Sequence, residues 1–384
     1  MHYGGRVTDS YDRRILTTYM DEYFGDFLID PTQPFYFYKD SEVSYGTPDA
    51  SADRDGYAAH IELLPLLSGP EVFGLHSNAE IDYLTTASAT ILSNLIELQP
   101  RTAAGGGGAS RESIIGVVAS DITSKLPEPF DLPKLKKMLP APSPTQVVLL
   151  QELVHWNRLI GTMSSSLKDL KRALAGEVGM SAILEELATG LYNGVLPPGW
   201  AKLCPQTEKA LGAWMDMFLR RQAQYLEWAE AGADPVAMWL TGLHIPATYL
   251  AAVVQTTCRA KRWPLDKSTL YTKVTPYESA AQLPGRPDSG CYVQGLFLHG
   301  AAWDLTERCL ARQPSKVLVQ PLPVLEIIPV EAHRVRLQGM LPTPVYVTQL
   351  RRNAMGVGLV FQANLDTKHH LSHWVLQGVA LTLE

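Results

Sequence analysis

The sequence predicts an α+β protein: a mostly helical N-terminal two-thirds, then a small antiparallel β module. Three observations carry that prediction. Between residues 9 and 263, apolar residues recur at helical spacing in runs bounded by cap residues, glycines and prolines. From residue 264 onward the runs shorten to strand length, with Pro, Gly and charged residues between them. With 46% hydrophobic and 19% charged residues among 384, the protein is able to bury a core and is not a disordered tail.

Taken in order, Tyr3-Gly-Gly-Arg-Val-Thr-Asp9 reads as a turn, and Asp9 or Ser10 caps a helix with Ile15, Leu16, Tyr19, Met20 and Tyr23 on one face. Asp9, Asp12, Arg13 and Arg14 read as surface ion pairing rather than an interface. Residues 31 to 70 read as irregular chain, with Phe35 to Tyr38 packed against a core or interface. Phe73-Gly-Leu-His-Ser-Asn-Ala-Glu-Ile81 opens a long helix capped by Ser77 or Asn78. Its stripe is Ile81, Leu84, Ile91, Leu92, Leu95 and Ile96, and Pro100 ends it. His76, beside that cap, reads as a hydrogen-bonded structural histidine.

Gly105 to Gly108 reads as a flexible loop, since no lysine follows a glycine and a phosphate loop needs one. Ser110 starts a helix through Lys125, and Pro127 to Pro144 is a connector. The longest helix is Thr145 to Ala175, with Val147, Leu150, Val154, Leu159, Met163, Leu167, Leu170 and Leu174 as its stripe and Gly176 after it. Ser181 caps a shorter helix. Residues 205 to 231 form another, burying Leu211, Trp214, Met215, Phe218, Leu226 and Trp228. Pro246 sits in the first turn of a further helix that ends at Arg259, Lys261 and Arg262.

Strand chemistry starts at Leu265 to Thr275 and resumes in Gly290-Cys-Tyr-Val-Gln-Gly-Leu-Phe-Leu-His-Gly-Ala-Ala-Trp-Asp304, where Gly295 and Gly300 interrupt the run. Lys316 to Gln320, Val345 to Leu350, Val357 to Leu365 and Trp374 to Leu383 read as further strands.

A formal net charge of −6 argues against a nucleic-acid partner. No apolar run approaches the ~20 residues that span a bilayer, and the first residues do not read as a signal peptide. The four cysteines form no C-x-x-C pair and read as reduced structural residues of an intracellular protein. No serine-hydrolase elbow, dinucleotide fingerprint or H-E-x-x-H zinc motif is present. Asp366-Thr-Lys-His-His-Leu-Ser-His373 gathers metal-ligand types. Read as a hairpin loop, it does not bring His369 and His373 together. No residue is therefore assigned a catalytic, nucleotide-binding or metal-binding role.

The stretch Gly290 to Asp304 is similar to the signature of the C-terminal domain of dynein heavy chains, with the axonemal members nearest. Thr343-Pro-Val-Tyr346, Arg351-Arg352 and His373-Trp-Val-Leu-Gln-Gly-Val-Ala380 follow in the family's order. Tyr3 to Asp9, Asp12-Arg-Arg14 and Phe73 to Ile81 resemble segments of the sixth AAA+ module and its helical lid, and Trp239-Leu-Thr-Gly242, Gln255 and Leu265-Asp266 match the start of the C-terminal region. The glycine-rich insertion at 103 to 109 and the histidine-rich loop depart from the family pattern.

The resemblance implies lid-like helices over 1–176 and a C-terminal domain over 177–384, helical to 263 and then β-barrel-like. It implies a structural or regulatory part of a ciliary, microtubule-based motor that packs on the AAA+ ring and does not itself hydrolyse ATP. ATP and Mg would belong to other modules, leaving this chain without a cofactor. The partners it implies are the rest of the heavy-chain ring and the intermediate and light chains, with microtubules contacted indirectly and no membrane or nucleic acid. The expected location is the cytoskeleton of the ciliary axoneme. The alternative is a stand-alone scaffold that keeps the fold without the motor. A bare apolar surface on the helical half counts against that alternative. A hydrolase built on the histidine loop is the remaining reading.

Overall fold

The computed structural model describes residues 6–30, 32, 35–39, 44–46, 53–64, 66, 68–97, 110–349, 352–353 and 356–383. The paired glycines at 4 and 5, the glycine-rich run, Pro100 and Arg351 lie outside them.

The N-terminal part carries α1 (Ser10–Tyr23), a strand pair β1 (Tyr36–Lys39) and β2 (Ser44–Gly46), α2 (Arg54–Leu63) and α3 (Asn78–Glu97). Asp9 caps α1, its carboxyl accepting from the Tyr11 and Asp12 N–H groups at 2.9 and 3.0 Å. The helices that follow are α4 (Arg111–Lys125), α5 (Leu132–Met138), α6 (Pro144–Leu174), α7 (Ala182–Asn193), α8 (Pro198–Ala201) and α9 (Leu211–Ala231). The polypeptide then makes a short strand, β3 (Ala237–Trp239), and enters α10 (Pro246–Lys261). Ser110, Ser143 and Ser181 cap their helices with side-chain oxygens, and Gly176, at φ +78°, closes α6. The connector before α6 is not irregular throughout. Asp131 caps α5 inside it, and Pro133 sits in that helix's first turn.

Helix α6 is the spine of the bundle. It buries Val148, Leu149, Leu153, Trp156, Leu159, Ile160, Met163, Leu167 and Leu170. Its first half therefore turns inward a different face from the expected one, and Val147 and Val154 are exposed. Apolar pairs at 147–148, 149–150 and 153–154 make both faces plausible by spacing alone. Trp156, stacked on Phe218 of α9 at 4.5 Å, selects the face that is used. On α9, Leu226 is likewise exposed while Tyr225 is buried.

The β half comprises β4 (Ser268–Val274), β5 (Cys291–Gln294), β6 (Phe297–His299), β7 (Ala302–Asp304), β8 (Cys309–Ala311), β9 (Val319–Pro321), β10 (Leu325–Glu331), β11 (Met340–Tyr346), β12 (Arg352–Asn353), β13 (Gly356–Val357), β14 (Leu359–Asp366), then α11 (Leu371–Leu376) and β15 (Ala380–Thr382). Two larger open sheets result, ordered β3-β5-β10-β4 and β14-β11-β15-β6-β9, beside the two-stranded pairs β7-β8 and β12-β13. They are mixed rather than purely antiparallel, since β3 runs parallel to β5 and β11 parallel to β15. They do not close into a barrel. The α+β class holds, and the barrel-like expectation gives way to two packed sheets.

Other expectations shift too. Residues 374–383 are the end of α11 followed by β15, not one strand. The expected strand at 345–350 begins five residues earlier, and Lys316 belongs to a turn, at φ +67°. Strand β10 lies outside the expected strands, and Pro329 within it is a residue that central strands disfavour. Its position resolves the conflict. Pro329 pairs with Leu270 on the β4 side, and β5 pairs β10 only over residues 325–327. The missing N–H faces no strand.

Glycine is required at residue 290. Its φ is +92°, and a Cβ there would lie 2.0 Å from the Ile327 carbonyl oxygen. The helices from α4 onward and both sheets share one contiguous apolar core.

Candidate functional site: two polar joints

Two clusters of polar groups, each with a buried centre, join parts of the molecule that lie far apart in sequence. The first joins the N-terminal helices to the β module. Arg14 on α1 donates from Nη1 to the Pro342 carbonyl at 2.5 Å and lies over the Tyr11 ring at 4.9 Å. Tyr11 in turn donates to Gln362 Oε1 at 2.8 Å. Arg14 is thus an interface residue rather than a surface ion-pair partner. Farther along α1, Tyr19 donates to the Phe73 carbonyl at 2.6 Å.

The Phe73 to Ile81 segment is the centre of this joint. Gly74, at φ +77°, lets the backbone pass close to α11, where a Cβ would lie 3.0 Å from Leu376 Cβ. Gln377 Nε2 donates to the Gly74 carbonyl at 2.6 Å. Asn78 is 3% exposed and does not spend its side chain on helix capping. Its Nδ2 donates to the Pro314 and Val317 carbonyls at 2.8 and 3.0 Å, and its Oδ1 accepts the Lys316 N–H at 2.8 Å. This three-bond clamp fixes a turn some 240 residues away. His76 supports it, with Nδ1 accepting the Asn78 N–H at 3.1 Å. Between the two parts lies a cleft of about 360 Å³, lined among others by Tyr23, Glu71, His76, Arg312, His373 and Trp374.

The second joint ties the helical bundle to the sheets. Glu152 on α6 is 3% exposed. Its Oε2 accepts from Tyr225 Oη at 2.7 Å and the His244 N–H at 2.5 Å, and its Oε1 accepts the Ile245 N–H at 3.1 Å. It thereby anchors the start of α10. Gln224 grips the Trp239 backbone at both ends, donating to its carbonyl at 3.1 Å and accepting its N–H at 2.9 Å. Arg221 donates to the Thr241 carbonyl at 3.2 Å, and Thr241 Oγ1 donates to the Leu383 carbonyl at 2.6 Å. The Trp239-Leu-Thr-Gly242 segment therefore links α9 to the last strand. Burial, and then the adjoining Glu152, push the Tyr225 hydroxyl well above its usual range. Burial lowers His244 below the ordinary histidine value. Glu152 opposes that shift, while His155, stacked on it at 4.5 Å, and Arg221 add to it.

The histidine-rich segment differs from the expected hairpin. It runs from β14 into α11, and the His369 and His373 rings come within 5.3 Å. His370 caps α11 through Nδ1. Burial, with His369 and Arg312, lowers His373 below the usual histidine value, and burial raises Asp366. Among the described residues, no three His, Cys, Asp or Glu side chains are arranged to hold a metal. All four cysteines are buried, and none of them forms a disulfide.

Neither joint was anticipated from the sequence. A lone glutamate in a long helix reads as solvent-facing. The available signal was that Glu152 shares the 149, 153, 156 face of α6.

Comparison with known proteins finds two matching families. Residues 85–383 match the model of the C-terminal domain of the dynein heavy chain, and residues 1–79 match that of its AAA lid domain. The expected boundary at 176–177 falls inside the longer match. The sequence is 60% identical over 381 residues to the Dynein-1-alpha heavy chain of the flagellar inner arm I1 complex of Chlamydomonas reinhardtii, covering 99% of this chain and 8% of that protein. It is 53% identical over 382 residues to human Dynein axonemal heavy chain 10, again covering 99% and 8%. It is 34% identical over 390 residues to mouse Dynein axonemal heavy chain 2, covering 100% and 9%. The chain therefore spans under a tenth of the length of these relatives, and over that span it belongs to the dynein heavy chain family.

Proposed function

We propose that this chain acts as a non-catalytic coupling element of an axonemal dynein heavy chain, a microtubule-based motor driven by ATP. The lid helices and the C-terminal domain would pack on the AAA+ ring and carry its movements through the two polar joints. Hydrolysis, with its ATP and Mg, would belong to other modules, and microtubules would be reached only indirectly. Intermediate and light chains would be partners in the assembled motor, and its place would be the ciliary axoneme. The 60% and 53% relatives favour a heavy chain of the inner-arm 1-alpha kind over the more distant types.

One observation carries the reading against a stand-alone scaffold. The apolar stripe of α3 is bare: Leu84, Ile91, Leu92 and Leu95 are each more than half exposed. On α2 and just beyond it, Ile61, Leu63 and Leu66 are exposed as well. A self-contained protein seldom leaves such a surface open. The remainder of a heavy chain is the occupant that fits.

The test is an immunoblot of whole-cell and axonemal extract with an antibody against residues 290–384. The expected band lies far above the mass of a 384-residue polypeptide and is enriched in axonemes. A band at that mass would overturn the motor reading in favour of the scaffold. ATP turnover by the isolated chain that a point substitution abolishes would overturn its non-catalytic role.

A further inference from the structure

The cleft at the first joint holds a device that the coupling role does not require. His76 is 9% exposed, and its Nδ1 accepts the Asn78 main-chain N–H at 3.1 Å. An imidazole nitrogen accepts only while it carries no hydrogen, and a protonated ring carries hydrogen on both nitrogens. Protonation would therefore set two donors against each other. It would do so beside the residue whose side chain clamps the 314–317 turn.

The groups facing His76 come from every element around the cleft. Glu71 precedes it on a short 3₁₀ turn, Arg312 follows β8, His373 lies on α11 and Tyr23 on α1. Lys316 is exposed and gives the clamp only its main-chain N–H.

We propose that His76 is a pH-sensitive latch: neutral, it holds the 73–80 segment on the β module, and on taking a proton from solvent it lets that segment go. The charge environment agrees in sign. Burial first, and then Arg312, hold His76 below the ordinary histidine value, against the pull of Glu71 and the Gln313 main chain. A group whose value is depressed on docking favours docking most above its free value, roughly 6.5 for histidine. That contribution fades as pH falls through the docked value. His373 shares the cleft and the sign of the shift, so the test has to separate the two rings. The latch needs nothing beyond this protein's own residues, and it stands or falls independently of the motor reading.

The experiment is amide hydrogen exchange of the 384-residue polypeptide at about pH 7.5 and about pH 5.5, with rates corrected for intrinsic exchange. Peptides covering 74–80 and 313–318 should open more at the lower pH, by more than about threefold, while α6 peptides stay unchanged. His76→Asn places a non-titrating acceptor near the Nδ1 position and should abolish the response. His373→Asn should keep it. A wild-type joint without a pH response, a response that survives His76→Asn, or one lost only in His373→Asn would overturn the latch. Should His76→Asn leave the joint open at both pH values, NMR titration of the wild-type ring decides. The proposal requires a midpoint below that of free histidine, tracked by the Asn78 amide shift. A midpoint at or above the free value contradicts it.

Discussion

The two ends of this molecule solve the same problem differently. From α4 onward, helices and sheets bury their apolar faces in one another and make one core. Before residue 96, the only buried residues among those whose side-chain burial is described are polar, His76 and Asn78. The N-terminal helices are as periodic as those that follow, yet α1 and α2 bury no residue fully. Periodicity thus specifies a helix and its apolar side, but does not say that the partner for that side lies in the same stretch of sequence. One part is held together by its core, and the other is held onto it by hydrogen bonds and by the half-buried Ile15, which packs against that core.

This contrast ranks the expected effects of substitutions. The largest is Glu152→Ala. It leaves the Tyr225 hydroxyl and two main-chain N–H groups without their acceptor, and should cost about 3–5 kcal/mol in urea unfolding. A loss below about 1 kcal/mol would mean the second joint is incidental. Gly290→Ala follows, at about 2–4 kcal/mol, because the new Cβ meets the Ile327 carbonyl at a φ that side chains avoid.

Alkaline pH offers a measurement that bears on the core. Burial pushes the Cys291 thiol up to about 12, with Tyr249 bonded to it and Asp234 nearby. A raised thiol value stabilises the fold below the unfolded value, and the gain is lost as pH climbs toward 12. Unfolding at about pH 10 should therefore show a deficit of about 2 kcal/mol relative to about pH 8, part of which Cys291→Ala removes.

Asn78→Ala is the corresponding test at the first joint. It should raise protease cleavage between residues 73 and 97, at a local cost of about 1–3 kcal/mol, and leave the main unfolding transition in place. The smallest effect belongs to α3. Leu92→Ser should change the stability of the protein by no more than about 0.5 kcal/mol, where Leu153→Ala in the core costs about 2–5.

Much of the helical half was legible in the sequence because its ends are chemical. Ser110, Ser181, Gly176 and Pro246 sit where caps and first turns need them. The faces were less legible. Val147 and Val148 are equivalent to a periodicity argument, and only the packing of Trp156 on Phe218 distinguishes them. In the β half, prolines misled. Pro342 and Pro344 sit inside β11, paired with Asn364 and Gln362 of β14, while β15 meets β11 only at Val345 and Tyr346. Their missing donors face the open side, which only the sheet order reveals. Trp374 and Val375 have strand propensity but lie in a helix that buries both. The joints were the least legible part. Each depends on one polar side chain meeting backbone from a remote stretch, which no local pattern announces.

On the proposed reading, α3 presents its stripe to more heavy chain than these 384 residues contain. Amide exchange of residues 78–97, measured on this chain and on the full-length heavy chain, tests it most directly. The expected result is fast exchange in α3 beside a slow α6 in the short form, and strong protection of both in the long one. Equal exchange of α3 in the two would contradict it.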